Sequence, residues 1–217
     1  MKRTRSLFFA IFTAAGLAIT ANGADAGTNS PADQVEANYT KSIEGRTADI
    51  LKILALADTN KAMHVHDAVM AQYRSLRAWH DENDAKLKAA KADTNAMAQI
   101  RGSLKVIHDA FLAKLAEDLS PAQVEQVKDK MTYGKVQFTF NGYLSAYPNL
   151  AGEHQQKILE ILKQAREEAM DGGSADEKTA IFQKAKGKIN NYLSKQGVQS
   201  EKKKKTSGPA TNAPSPQ

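Results

Sequence analysis

The chain has 217 residues, a formal net charge of +6 and no cysteine. The lack of cysteine excludes disulfides, thiolate nucleophiles and zinc–thiolate sites. Residues 1–26 carry +2 and residues 201–205 carry +3, which leaves only +1 for residues 27–200. A nearly neutral folded part argues against nucleic acid as a partner.

The N-terminus has the pattern of a secretory signal peptide over residues 1–26. Three basic residues within the first five precede an apolar run from Leu7 to Ile19, and small residues at Ala24 and Ala26 provide a cleavage site. The apolar run is too short to span a bilayer, and no later stretch approaches that length. We therefore expect a mature protein that begins near Gly27, has no transmembrane segment and is periplasmic or secreted.

Start and stop signals then divide residues 27–198 into helices. Ser30-Pro31 begins the first helix, with a candidate break near Gly45, and Asp58-Thr59 begins a long helix that reaches about Lys91. Asp93-Thr94 begins the third helix, whose apolar residues recur at three- and four-residue steps. These signals predict long amphipathic helices joined by short loops.

The second half of the chain continues the pattern. Ser120, Pro121 and Gln123 form a capping box that begins a helix ending near Gly134. A helix after residue 150 stops at Gly172-Gly173, and the last helix starts at a second capping box of Ser174 and Glu177 and ends at Gly197. Residues 199–217 are rich in Lys, Pro and Ser and are predicted to be disordered. The predicted fold is all-α: an antiparallel bundle of about six helices with one irregular aromatic connection.

That connection, residues 131–150, holds five aromatic rings. Val136, Phe138 and Phe140 alternate as in a strand, so we expect an extended lead-in followed by a short helix that ends before Pro148. The favoured interpretation is that the Phe rings plug the bundle core; the alternative is a surface that stacks on a flat or sugar-like ligand. Tyr rings at the rim of a cleft fit either one. The candidate ligand-binding residues are Tyr133, Asn141, Tyr143, Tyr147, Asn190 and Asn191.

Three polar residues are predicted to face the core: His80, Asp84 and His108. His80 and Asp84 are one helical turn apart, and His108 lies inside the apolar stripe of the next helix. They could bind a metal or form an oriented base, but a buried hydrogen-bonded network is the favoured interpretation. No metal and no cofactor is assigned. The acidic stretch 165–173 lacks the alternating donors of an EF-hand loop and is interpreted as a solvated helix face with its C-cap.

Several spaced motifs carry a resemblance: "AWHDENDAKLKA", "IHDAFL", "LSPAQVEQVKDKMTYGKV", "NGYLSAYPNL", "AREEAMDGGSADEK" and "KGKINNYLSKQG". Together they resemble the bacterial exported family catalogued as domain of unknown function 3826, over about residues 31–198. The resemblance implies export and a shared helical fold. It implies no activity and no catalytic residues.

The sequence therefore favours an exported, non-catalytic binding or envelope-accessory protein, with a glycan or envelope component as its candidate partner. "LSPAQ" is also similar to the LTxxQ motif of periplasmic helical chaperones, so a chaperone or sensor of that kind is the first alternative. An enzyme that uses His80, Asp84 and His108 is the second. No phosphate-binding loop, nucleophile elbow or metalloprotease motif is present.

Overall fold

The computed structural model describes residues 30–200, which form seven α-helices and no strand. The predicted signal peptide and all but the first two residues of the predicted tail lie outside the described residues. The helices are α1 (Pro31–Leu54), α2 (Thr59–Ala89), α3 (Thr94–Ala116), α4 (Pro121–Met131), α5 (Lys135–Ala146), α6 (Gly152–Met170) and α7 (Ala175–Lys195). None of these helices has the length and hydropathy needed to cross a membrane.

Five of the seven helices, all but α5 and α6, begin at a side chain that caps the N-terminus. The Asp58 and Asp93 carboxylates accept from the first free backbone N–H groups of α2 and α3. Ser120 and Gln123 form the predicted reciprocal capping box of α4. The predicted box at Ser174 is only half formed, because Glu177 accepts from the backbone N–H of Gly173 rather than from that of Ser174.

Two features differ from the sequence-based expectation. Helix α1 runs without a break through Gly45, and the aromatic connection is not irregular but forms the regular helix α5. Gly134, at φ 62°, supplies the left-handed residue from which α5 starts. Val136, Phe140 and Tyr143 are then buried on one face at four- and three-residue steps. The predicted extended lead-in was wrong because burial on α6 and α7, and not the local alternation, selects the backbone.

The core consists of two apolar clusters. The first lies among α1, α2, α3 and α4 and includes Ile43, Val69, Leu115 and Val127. The second lies among α5, α6 and α7, and its most buried members are Ile158, Leu162, Ala169, Phe182, Ile189 and Leu193. Helix α6 joins the two, because it packs on α4, α5 and α7 and places Met170 in the first cluster. Its C-terminal end and the turn after it therefore lie where the two halves of the protein meet.

Candidate functional site

A groove between α5 and α7 brings together four of the six predicted ligand-binding residues. Its volume is about 550 Å³, and it is lined by Asn141, Tyr143, Tyr147 and Asn190. Helix α5 and its C-cap residue Tyr147 form one side of the groove, and α7 supplies Asn190 from the other. The sequence links these residues only through the aromatic motif and the Asn pair, and the packing of α5 on α7 makes them neighbours.

Phe138 is an exposed aromatic residue in the lining of the groove. It is 78% exposed, whereas Phe140 is 8% exposed. The prediction that both rings plug the core was therefore right for Phe140 and wrong for Phe138. In a helix, residues two apart point in nearly opposite directions, so only one of the two can face the core. Phe138 instead lies at the groove surface.

The remaining rings of the groove are ordered by contacts with each other and with α7. Tyr143 and Tyr147 stack at 6.2 Å between ring centroids with an interplanar angle of 22°. The Tyr143 hydroxyl donates to Asn190 Oδ1 at 2.9 Å. Burial, and then the nearby Tyr147, raise the pKa of Tyr143 to about 12, so its hydroxyl stays protonated at neutral pH.

The two amide groups of the groove have their oxygens occupied. Asn141 Oδ1 accepts from Gln137 at 2.7 Å, and Asn190 Oδ1 accepts from Tyr143. Their NH₂ groups donate to none of the described residues, so both can donate to a ligand. No carboxylate of the described residues lines this groove.

Two predicted ligand-binding residues lie elsewhere. Asn191 follows Asn190 on α7 but is exposed and does not line the groove. Tyr133 is 48% exposed and lines a different cleft, between α1, α2 and the turn that precedes α5. Tyr133 does not line the α5–α7 groove.

The three predicted polar residues form part of a hydrogen-bonded cluster at the end of α6. His80 Nε2–H donates to the main-chain carbonyl of Asp171 at 2.7 Å, and its Nδ1–H donates to Asp84 at 2.9 Å. Both partners are acceptors, so both ring nitrogens carry protons. Burial lowers the pKa of His80, but the two hydrogen bonds outweigh it and the net pKa is raised. Both ring nitrogens of His80 are therefore occupied by protein partners.

His108 contacts the same residue through its side chain. Its Nδ1 lies 3.0 Å from Asp171 Oδ2, and its Nε2 lies 3.6 Å from Glu167 Oε2. Hydrogen bonds to Asp171 and to Glu167 raise the pKa of His108 to about 9, against the opposing effect of burial. Burial raises the pKa of Glu167, but the hydrogen bonds to His108 and Lys128 lower it by more, so the net pKa is about 2.

Asp84 lies closer to solvent than predicted. Its side chain is 52% exposed, while His80 is 7% exposed and the His108 side chain 12%. The residue that links the two histidines is Asp171, which was interpreted as part of a solvated helix end. No sequence motif indicates Asp171, because its contact with His80 uses the main-chain carbonyl, which every residue has.

Charged residues continue the cluster into α4. Arg166 is 3% exposed and pairs with Asp129 at 2.6 Å, with Glu125 and with Glu167 at 3.2 Å. Lys128 lies 3.0 Å from Glu167. The interpretation of residues 165–173 as a solvated face was therefore wrong for Arg166 and Glu167, because α4 packs on this face of α6 and buries it.

The cluster of His80, His108, Asp171 and Glu167 has the geometry of a structural contact between helices, and it is called the structural joint below. A base needs a free nitrogen, and the ring nitrogens of both histidines lie against carboxylate or carbonyl oxygens. Among residues 30–200, no three His, Asp or Glu side chains are arranged to hold a metal ion. The cluster lines a cleft of about 370 Å³, to which His80, His108, Glu167 and Asp171 all contribute. Trp79 also lines this cleft, and its ring N–H donates to Ser103 at 2.8 Å.

Comparison with known proteins supplies the family. The family described as "Protein of unknown function (DUF3826)" matches residues 40–208, most of the chain, so the chain belongs to it. No curated protein matches the sequence with significant similarity.

Proposed function

We propose that this protein is an exported, non-catalytic binding protein whose α5–α7 groove holds a neutral saccharide. The observation that carries the proposal is the exposed ring of Phe138 beside the stacked pair Tyr143 and Tyr147. Because Phe138 is 78% exposed, its ring contributes little apolar burial to the stability of the fold. In a groove that the half-buried Tyr147 also lines, Phe138 provides a surface on which the apolar face of a sugar ring can stack.

The polar groups of the groove suit the hydroxyls of such a ligand. The NH₂ groups of Asn141 and Asn190 are free to donate, and their oxygens are fixed by protein contacts. This arrangement orients two donors without a cost in side-chain entropy on binding. Lys186 adds one further donor at the α7 side of the groove.

Binding without hydrolysis is favoured by the absence of acids from the groove. Glycoside hydrolysis commonly uses a pair of carboxylates on opposite sides of the scissile bond. The described residues that line this groove include no Asp or Glu. In the histidine cluster, the alternative catalytic centre, the ring nitrogens of both histidines already lie against protein oxygens.

The test is a calorimetric titration of the mature protein with four neutral hexasaccharides, one each from the cello-, malto-, N-acetylchito- and xylo-oligosaccharide series. At least one should bind saturably, and Phe138→Ala should weaken it about threefold to tenfold, the range expected for one ring contact. Val106→Ala is the matched control, because Val106 is a 68% exposed apolar residue on α3. Saturable binding that Phe138→Ala leaves unchanged would refute the site.

A further inference from the structure

Another cleft lies between α1, α2 and the turns that precede α5 and α7. It consists of two cavities of about 280 and 470 Å³ that share Arg46, Tyr73 and Tyr133, and it is called the Arg46 cleft below. Lys178 lines the smaller cavity. Neither cavity contributes to the α5–α7 groove.

The Arg46 cleft carries positive charge that the protein does not neutralise. Two of its cations are paired, Arg77 with Glu36 at 2.8 Å and Lys130 with Asp49 at 3.2 Å. Arg46 takes part in no ion pair with the described residues; its guanidinium lies over the Tyr73 ring at 5.8 Å from the centroid. Its planar set of donors is therefore available to an anion.

Lys178 is a second cation without a carboxylate partner among the described residues. It is 4% exposed, and its ammonium donates only to the carbonyls of Met131 at 3.2 Å and Met170 at 3.4 Å. Burial, and then the charge of Arg46, lower the pKa of Lys178 to about 8, against smaller opposing effects of Asp171 and Glu177. A bound anion would compensate both cations.

Tyr133 has a backbone conformation that its own side chain disfavours. The N–H of Gly134 donates to Asp129 O at 2.8 Å and that of Tyr133 to Lys130 O at 3.1 Å, which is the Schellman pattern at the end of α4. Tyr133 occupies the left-handed position, at φ 59°, where α7 has Gly197 at φ 70°. An L side chain is disfavoured in this conformation, which glycine adopts freely. The ring is thus present in the cleft despite a cost to the turn.

The hydroxyl of Tyr73 completes the polar lining. It donates to none of the described residues, although the side chain is buried. Burial raises the pKa of Tyr73 to about 12, so the group stays a neutral donor. The cleft therefore offers a guanidinium, an ammonium and a phenol donor beside an aromatic ring.

We propose that the Arg46 cleft binds the oxyanion group of a small organic anion, with the ring of that anion against Tyr133. Arg46 holds the oxyanion by paired N–H donors, and Lys178 and the Tyr73 hydroxyl supply the remaining contacts. The oxyanion can be a phosphate or a carboxylate, and the two are separated by experiment. This site is independent of the saccharide groove.

The test is calorimetric titration of the mature protein with phenyl phosphate, benzoate and neutral benzyl alcohol. One or both anions should bind saturably, and the better of them identifies the oxyanion. Benzyl alcohol should bind the wild type at least about tenfold more weakly than the better anion does. The Arg46→Gln variant should bind that anion at least about tenfold more weakly than the wild type does. Each change removes a charge-assisted hydrogen bond. Arg101→Gln removes the same charge from an exposed site on α3 and should leave the affinity unchanged.

Tyr133→Gly separates binding from folding. Glycine suits the left-handed position, so this variant should melt no lower than the wild type while binding the aromatic anion several-fold more weakly. An unchanged affinity would overturn the contact with the ring. No saturable binding of either anion, or equal binding by Arg46→Gln, would overturn the site.

Discussion

The close contact between Gly173 and His80 gives the sharpest test of the structural joint. A Cβ added at Gly173 would lie 2.7 Å from His80 Cγ, 2.9 Å from Cδ2 and 3.0 Å from Nδ1. The imidazole cannot move aside without breaking its bonds to Asp84 and to the Asp171 carbonyl. We therefore expect Gly173→Ala to lower the free energy of unfolding by about 1–3 kcal/mol, the usual cost of overpacking.

The same chain offers a control glycine, Gly187, and a double mutant that tests the coupling between Gly173 and His80. Gly187, in the middle of α7, has nothing within 4 Å of an added Cβ, so Gly187→Ala should raise the free energy of unfolding by about 0.5–1 kcal/mol. In a His80→Ala background the cost of Gly173→Ala should largely vanish, because the clashing ring is gone. Urea unfolding followed by circular dichroism measures all four variants. A cost that persists without His80 would refute the contact.

Three further predictions concern the aromatic helix, the pH dependence and export. Phe140→Ala should cost about 3–5 kcal/mol of stability, and Phe138→Ala less than about 0.5 kcal/mol, when both are measured by urea unfolding. The pKa of His108 in the folded protein, about 9, lies above its ordinary value of 6.5, so the stabilising effect of His108 is full below pH 6.5 and is lost as pH rises through about 9. The difference in stability between the wild type and His108→Gln should therefore shrink between pH 6.5 and about 9. A difference that stays constant over this range would contradict the prediction. Mass spectrometry of the exported protein should give an N-terminus near Gly27, and a retained Met1 would exclude cleavage.

The helix starts are predictable from the sequence because capping is local. Asp58, Asp93 and Ser120 each bond to backbone groups within three residues, so the signal and the structure lie in the same few positions. Helix α5 is different. Its alternation of Val136, Phe138 and Phe140 is typical of a strand, and only packing against α6 and α7 selects the helix.

The candidate sites follow the same division between local and distant contacts. His80 and Asp84 are one turn apart, so their hydrogen bond can be predicted from spacing. The Asp171 carbonyl is 91 residues from His80, and every residue has such a carbonyl, so no side-chain pattern indicates it. Lys178 was missed for a related reason: a lysine on a helix is ordinarily solvated, and its burial depends on α4 and α6 ending beside it.

The proposed saccharide site is tested most directly by an amide NMR titration of the mature protein with the neutral hexasaccharide that gives the strongest calorimetric response. The account predicts chemical-shift changes concentrated in residues 138–147 of α5 and around Lys186 and Asn190 of α7. Those changes should be lost in Phe138→Ala and kept in Val106→Ala. Changes confined to other helices, or no change with any member of the panel, would contradict a binding site in this groove.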